Sequence, residues 1–368
     1  MGWNRTRAVF MRGGTSKALV FRADDLPTER TAWDAIFLAA MGVPDPNGRQ
    51  LDGMGGGLSS LNKVCVVGAP SHPAADVDFT FAQLGTDDPV VDYGGNCGNM
   101  SAAIGPYAIE EGLVAHPGDG EASVVIHNTN TGKLIRARFP VEGGALASAG
   151  DLAIDGVAGT AAPIRLEFLE PGGAKTGKLL PTGNAVDVLD VPGLGPIEAS
   201  CIDAANPAVF VRAADIGMTG SELPTDLDKD AQFLSRMEAI RNAAADAMGL
   251  ARVASIPKVA MVCPPADAPT LSGRTLGKDE HDIAIRMISV GQPHRAVPIT
   301  GAVCLAVAAR IPGTIAQQAC AAQGGAIRIG HPSGTLMVDA AVADGKAEWG
   351  AVYRTARRMF EGSVVYRS

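Results

Sequence analysis

The chain is poor in aromatic residues: 3 Trp, 4 Tyr and 10 Phe amount to 5% of its 368 residues. A surface on which nucleic-acid bases stack is not expected from so few rings. Charged residues are also sparse at 19%, the formal net charge is −8, and Lys and Arg never cluster beyond a few positions. Nucleic acid and anionic membranes are therefore excluded as natural partners. The 6 cysteines show no Cys-x-x-Cys pairing, which excludes a zinc knuckle and a disulfide framework. The histidines at 72, 116, 127, 281, 294 and 331 form no His-Glu-x-x-His motif, so no metal site is expected. The longest apolar run, near Gly301 to Ala309, is too short to span a bilayer. Met1 to Phe10 carries arginines and no apolar segment of a signal peptide. The expectation is a reduced, cytoplasmic protein.

What is abundant is small and apolar. Hydrophobic residues make up 46%, with 45 Gly and 24 Pro, so the chain folds with many turns and short elements. Its length allows two domains. Short β-branched runs bounded by Gly, Pro, Asp or Asn read as strands: Arg7–Phe10, Ala18–Phe21, Val64–Val67, Ser123–His127, Ile135–Phe139 and Ile164–Phe168. Two helices are expected, from about Glu29 to Met41 with Thr28 as N-cap and Gly42 beyond its end, and from about Leu227 to Met248, stopping before Gly249. Helices do not alternate strictly with strands, which disfavours a simple doubly wound sheet.

The chain echoes itself. Asn62-Lys63-Val64-Cys65-Val66-Val67 is matched by Pro257-Lys258-Val259-Ala260-Met261-Val262. Downstream, Cys97-Gly98-Asn99-Met100-Ser101-Ala102 is matched by Thr300-Gly301-Ala302-Val303-Cys304-Leu305. Each is a small residue and a glycine opening a helix apolar on every side, hence buried. Two duplicated α/β halves follow, 1–184 joined by the final strand 355–368, and 185–354. Each wraps strands about one central helix, and a ligand site is expected in the cleft between them.

Two residues carry the expected chemistry. Cys97 lies between Gly94-Gly95-Asn96 and Gly98-Asn99, at a helix start where N–H groups and the helix dipole favour a thiolate. A lone cysteine is more often inert and buried. Lys63 enters a strand after Ser59-Ser60-Leu61-Asn62, where an apolar cleft would lower its pKa and make it a base. Most lysines are simply solvated, and Lys258 falls under that reading more strongly because no thiol answers it. Arg12-Gly13-Gly14-Thr15-Ser16-Lys17 and Gly330-His331-Pro332-Ser333-Gly334 offer N–H groups and hydroxyls for a carboxylate, or are ordinary hairpin turns. Gly53-Met54-Gly55-Gly56-Gly57-Leu58 lacks the Gly-Lys-Ser/Thr ending of a phosphate loop and reads as a mobile loop carrying Ser59 and Ser60. His294 precedes the second central helix closely enough to contact substrate, or serves structure alone.

Met11–Lys17, Ser59–Val64, Gly95–Met100, Pro181–Asn184, Thr300–Ala302 and Gly330–Gly334 together resemble the PrpF family, in order and across nearly the whole chain. The resemblance implies a diaminopimelate-epimerase-like α/β fold of two pseudo-symmetric domains. It implies cofactor-independent isomerisation of an unsaturated di- or tricarboxylate, of the methylaconitate, methylitaconate or 4-oxalomesaconate type. The family's lysine falls on Lys63 and its cysteine on Cys97, as acid and base in either order. Thr300 stands where epimerases carry a second cysteine, which disfavours racemisation and favours allylic proton transfer. Thr15, Ser16, Ser59, Ser60, Asn96, Gly98, Asn99, His294, Thr300, Gly301, Ala302, Ser333 and Gly334 are the expected substrate contacts. A 4-oxalomesaconate-type substrate from aromatic catabolism is preferred over 2-methylaconitate. A carboxylate-binding protein without catalysis is the alternative from another class. A homodimer fits, although nothing in the sequence sets the oligomeric state.

Overall fold

The protein is described by a computed structural model covering residues 2–115, 118–253 and 255–367. The chain divides into two compact units, Met1–Glu167 with Arg354–Ser368, and Phe168–Tyr353. The expected boundary at 184/185 lies later than this break. Residues beyond 168 are tied into the second unit: the Gly173 N–H donates to the Asp203 carbonyl at 2.8 Å, and the Asp203 carboxylate accepts from the N–H groups of Lys175 and Thr176 at 2.8 and 2.7 Å.

The first unit is a mixed sheet around a helix. Its strands are β1 (Trp3–Gly13), β2 (Ser16–Arg22), β3 (Lys63–Gly68), β4 (Val77–Leu84), β5 (Gly120–Asn128) and β6 (Lys133–Glu142). β1 and β2 form a hairpin closed at Gly13 and Ser16, and the other edge of β1 pairs antiparallel with the C-terminal strand Ala356–Arg367. β2 runs parallel to β3, β3 antiparallel to β4, β4 parallel to β5, and β5 antiparallel to β6. A parallel pair requires a crossover, and each crossover here carries a helix. α1 (Trp33–Met41) joins β2 to β3, and α2 (Gly98–Glu110) joins β4 to β5. α2 touches β1, β2, β3, β5, β6 and the C-terminal strand. That enclosure explains why every residue from Met100 to Ile109 is buried and why the helix needs no polar face.

The second unit repeats the pattern. Its strands are β7 (Asp187–Val191), β8 (Gly195–Ala204), β9 (Asn206–Arg212), β10 (Lys258–Cys263), β11 (Ile283–Ser289), β12 (Ile327–His331) and β13 (Gly334–Ala343). The pairings run antiparallel, antiparallel, parallel, antiparallel, parallel, antiparallel in that order. The first unit shows the same succession when the C-terminal strand is counted first. α3 (Ala231–Ala247) fills the β9–β10 crossover and α4 (Ile299–Ala308) the β11–β12 crossover. α4 is buried from Gly301 to Ala308 and touches β8, β9 and β13. The echoes in the sequence are thus one topology used twice.

The expected helices are present with shifted starts. Thr28 caps nothing: a 3-10 turn over Arg30–Ala32 precedes α1, which ends at Gly42 in the left-handed conformation. The second expected helix is broken into a single turn, Pro224–Leu227, and α3. Asp230 accepts from the Phe233 N–H at 2.9 Å and so caps α3. The outer helices bury their apolar stripes on the sheets, α1 through Phe37, Ala40 and Met41 against Val64 and Val66, α3 through Phe233, Met237 and Ile240 against Val259 and Met261. No helix among the described residues is long and apolar enough to cross a membrane.

Candidate active site

Alternation along β3 decides which way its side chains point. Val64 and Val66 pack with α1, so Lys63 and Cys65 face the opposite side, toward α2. Lys63 is 8% exposed at the first position of the strand. Its Nζ donates to Gln83 Oε1 at 2.5 Å and sits 5.1 Å from the centroid of the Phe81 ring. Gln83 lies opposite Lys63 in the antiparallel register. Its Nε2 donates to the carbonyls of Ser59, Asn62 and Leu84, each at 3.0 Å. Those bonds settle the amide orientation and leave Oε1 for the ammonium.

Cys97 is the N-cap of α2, with φ −107° and ψ 98°, and is partly exposed. Its carbonyl accepts the Ser101 N–H at 2.9 Å and opens the helix. The first-turn N–H groups above it have no intrahelical acceptor, and the dipole there favours a negative sulfur or a carboxylate. Cys65, buried one strand step from Lys63, reports on both residues. Burial pushes its thiol pKa well up; negative charge on Cys97 raises it further and the Lys63 ammonium lowers it. Lys63 and Cys97 therefore act on one buried point in the same unit.

The β1–β2 turn closes over this helix start. Asn99 donates through Nδ2 to Thr15 Oγ1 at 3.1 Å and accepts at Oδ1 from Arg354 Nε at 3.1 Å. Gly14 has φ +50°, and a Cβ there would collide with Asn99 Oδ1, so the approach requires glycine. Ser16 is buried at the start of β2. Asn96 Oδ1 accepts from Ser101 Oγ at 3.4 Å and Asn128 Nδ2 at 3.3 Å. Ser59 and Ser60 form a 3-10 turn just ahead of Lys63. The preceding glycine run is anchored and does not read as a swinging loop. Met54 and Gly55 donate to the Ala40 and Met41 carbonyls at 2.9 and 3.1 Å, and a Cβ on Gly53 would collide with the Gly42 nitrogen.

The first unit thus gathers Thr15, Ser16, Ser59, Ser60, Lys63, Asn96, Cys97, Gly98 and Asn99. The remaining expected contacts belong to the second unit. Thr300, Gly301 and Ala302 open α4, with Thr300 exposed and the other two buried. Pro332 and Ser333 form the β12–β13 turn and Gly334 opens β13; Ser333 Oγ donates to the Arg295 carbonyl at 2.6 Å, next to half-buried His294 in the chain. Two further residues carry no signal in the sequence. Gln83 belongs to no motif, and only the strand register reveals it. Arg354, whose guanidinium burial draws its pKa down to about 10, lies 255 positions from its partner Asn99. Among the described residues no His, Cys, Asp and Glu cluster could hold a metal ion; His116 lies outside them.

Both the sequence and the fold are shared with known proteins. The family model described as PrpF protein matches residues 3–367. The chain belongs to the PrpF family. A 2-methyl-aconitate isomerase from Shewanella oneidensis is 41% identical, with 98% of this chain and 96% of that protein covered. A (4E)-oxalomesaconate Delta-isomerase from a Novosphingobium species is 41% identical over 97% of this chain and 96% of its own length. The crystal structure of a methylitaconate-delta-isomerase superposes with a TM-score of 0.92 at 42% identity, covering 100% of this chain and 96% of that one. As a PrpF-family protein with isomerases for relatives, this chain is an enzyme of the isomerase class.

Proposed function

We propose that this PrpF-family isomerase moves a proton along an allylic system in an unsaturated di- or tricarboxylate, with Lys63 and Cys97 as the acid and base. The supporting observation is a buried lysine at the start of β3 and an N-cap thiol at the start of α2, both of which act on the buried Cys65 thiol. A base removes a proton γ to a carbonyl or carboxyl group. The electron pair delocalises into a dienolate, whose oxygen charge is met by N–H groups at the helix start. An acid then returns a proton to another carbon, and the double bond has moved or changed geometry. As the neutral amine Lys63 suits the abstraction, because Gln83 Oε1 accepts from the ammonium that forms and fixes where Nζ sits. Cys97 suits the reprotonation. Asn99 and Thr15, joined to each other, and Asn96 hold carboxylate oxygens nearby.

A 4-oxalomesaconate-type acid is the first substrate to test, since a keto group at the end of the allylic system best stabilises the dienolate. 2-Methylaconitate is the second, favoured by the 41% identity to an isomerase of that acid over nearly the whole chain. The deciding experiment is incubation of the purified protein with each acid in deuterated water, followed by NMR. Double-bond movement with deuterium entering the product is expected for one acid. Near wild-type rates in both Lys63→Ala and Cys97→Ala would sink the assignment of the pair.

A further inference from the structure

The parallel ladder of β4 and β5 ends at the pair Phe79↔Asn128, but β4 runs on, and side chains from the turn after β5 hold its next residues. Thr129 Oγ1 shares a hydrogen bond with Thr80 Oγ1 at 2.6 Å. Asn130 then takes the place of a strand residue beside Phe81. Its Oδ1 accepts the Phe81 N–H at 2.8 Å, and its Nδ2 donates to the Phe81 carbonyl at 2.8 Å. Those two bonds fix which end of the amide is which. The other Nδ2 hydrogen goes to the Tyr93 carbonyl at 2.9 Å, and Oδ1 accepts a second bond from Asn128 Nδ2 at 3.2 Å. Two donors and two acceptor positions are thereby filled, which is the whole capacity of an asparagine amide.

The two sides of this clamp lead to the two reactive groups. On β4, the Phe81 ring centroid lies 5.1 Å from Lys63 Nζ, and Gln83, two residues on and on the same face, takes the ammonium. On the other side, Tyr93 is followed by Gly94-Gly95-Asn96 and then Cys97. Two successive glycines leave the backbone many conformations, so the entry to α2 depends on what holds its ends. Tyr93 is held at its carbonyl by Asn130 and through its hydroxyl, which donates to Asp34 Oδ1 at 2.7 Å. Asn96 is held by Asn128, whose Nδ2 donates to its Oδ1 at 3.3 Å. Asn128 is fully buried, and its own Oδ1 accepts from the N–H and hydroxyl of Thr131 at 3.1 and 2.7 Å.

We propose that Asn130 is a positioning residue for the proton transfer: one amide ties the strand beneath Lys63 to the segment that delivers Cys97. It touches no reacting atom. Loss of the tie leaves Thr15 and Asn99 in place to hold carboxylates, so the cost falls on the chemical step and not on binding. This rests on the reading of Lys63 and Cys97 as acid and base.

The test pairs two substitutions in the full chain. Asn130→Asp keeps the size of the side chain and the acceptor for the Phe81 N–H, but removes both donors. Thr129→Val cuts the neighbouring bridge to Thr80 in the same turn and leaves the tie to Tyr93 intact. The first readout is alkylation of Cys97 by iodoacetamide, followed by mass spectrometry of the peptide that contains it. At a pH well above the ordinary thiol value of about 8.5, the rate reads access to the sulfur. Asn130→Asp should react about threefold to tenfold faster because the segment opens locally, and Thr129→Val should match the wild type. The second readout uses the acid found to isomerise. Asn130→Asp should lower kcat about tenfold to a hundredfold, the scale of a misplaced reacting group, with KM little changed, while Thr129→Val keeps both. Wild-type alkylation in Asn130→Asp overturns the proposal, and so does a rise in KM at unchanged kcat. Equal kcat losses in the two variants overturn it as well, and make the turn a structural feature. Should Asn130→Asp not fold, Asn130→Ala, which adds no charge, is judged by the same readouts. If Lys63→Ala and Cys97→Ala retained activity, the acid–base pair would fall; if they lose it while Asn130→Asp stays at wild-type rates, only the role of Asn130 falls.

Discussion

The starts of α2 and α4 occupy equivalent places in two copies of one topology, yet they are chemically unlike. Asn96-Cys97-Gly98-Asn99 opens the first with a thiol between two amides, and Asn99 is held by Thr15 and Arg354. Ile299-Thr300-Gly301-Ala302 opens the second with one exposed hydroxyl. In the first unit, Lys63 is held by an amide that three carbonyls orient; in the second, Lys258 meets a serine hydroxyl. The difference shows that duplication preserves the frame, because strand register and helix burial depend on the pattern of apolar residues.

Removing the reactive pair challenges that contrast most strongly. Lys63→Ala and Cys97→Ala should each slow isomerisation by roughly 10² to 10⁴, the usual worth of a positioned acid or base, with circular dichroism unchanged. Steady-state rates measured with the identified substrate check this. A drop for one residue only would mean that water or another group replaces the other. Next come the two central helices. Ile104 and Leu305 are almost fully buried in α2 and α4, so Ile104→Ala and Leu305→Ala should each cost about 2 to 5 kcal/mol in denaturant unfolding. Two separate transitions, each moved by only one of the variants, would show that the units unfold independently.

A smaller effect is expected at Gln83. Gln83→Leu removes the acceptor of the Lys63 ammonium and the ties to Ser59 and Asn62. A loss in kcat of about tenfold is expected, equivalent to about 1.4 kcal/mol, together with a displaced pH–rate profile. A change confined to thermal stability would leave Gln83 a purely structural residue. Smallest is the response to acid. Burial works against ionised Asp282, but hydrogen bonds from the Arg328 side chain and backbone outweigh it and hold its carboxyl below the ordinary value. Asp78 is likewise lowered, with burial outweighed by bonds from Ser71 and His127.

A depressed carboxyl stabilises the fold above its unfolded pKa, near 4, and that stability is lost as pH falls through the lower folded value. Asp282→Asn should therefore lower the melting temperature at neutral pH and leave it nearly unchanged in strong acid. Thermal melts across that range test it, and Asp78→Asn compares the first unit with the second.

Much of the fold is legible in the sequence. Strand runs such as Val64–Val67 and Ser123–His127 lie inside β3 and β5 because local alternation and turn residues are short-range signals. The central helices show their burial in their lack of a polar face. Thr28 misleads, since a threonine before an apolar run caps only if the backbone places its oxygen over the first turn, and here a 3-10 turn intervenes. The expected Leu227–Met248 helix is too long because Asp230 reads equally well as a helix residue and as a cap. Lys258 looks ordinary in the sequence because no thiol answers it, although register gives it the same seat as Lys63.

The elements, the duplication and the motif residues Lys63 and Cys97 follow from the sequence alone, because they depend on neighbours within a few positions or on plain repetition. What those residues touch is fixed only by the tertiary fold. Gln83 reaches Lys63 through antiparallel register, Arg354 reaches Asn99 across 255 positions, and Ser289 meets Lys258 only once β10 and β11 are paired. Hydrogen bonds extend about 3 Å, and no spacing rule in a sequence specifies which distant residues the fold will bring within that distance.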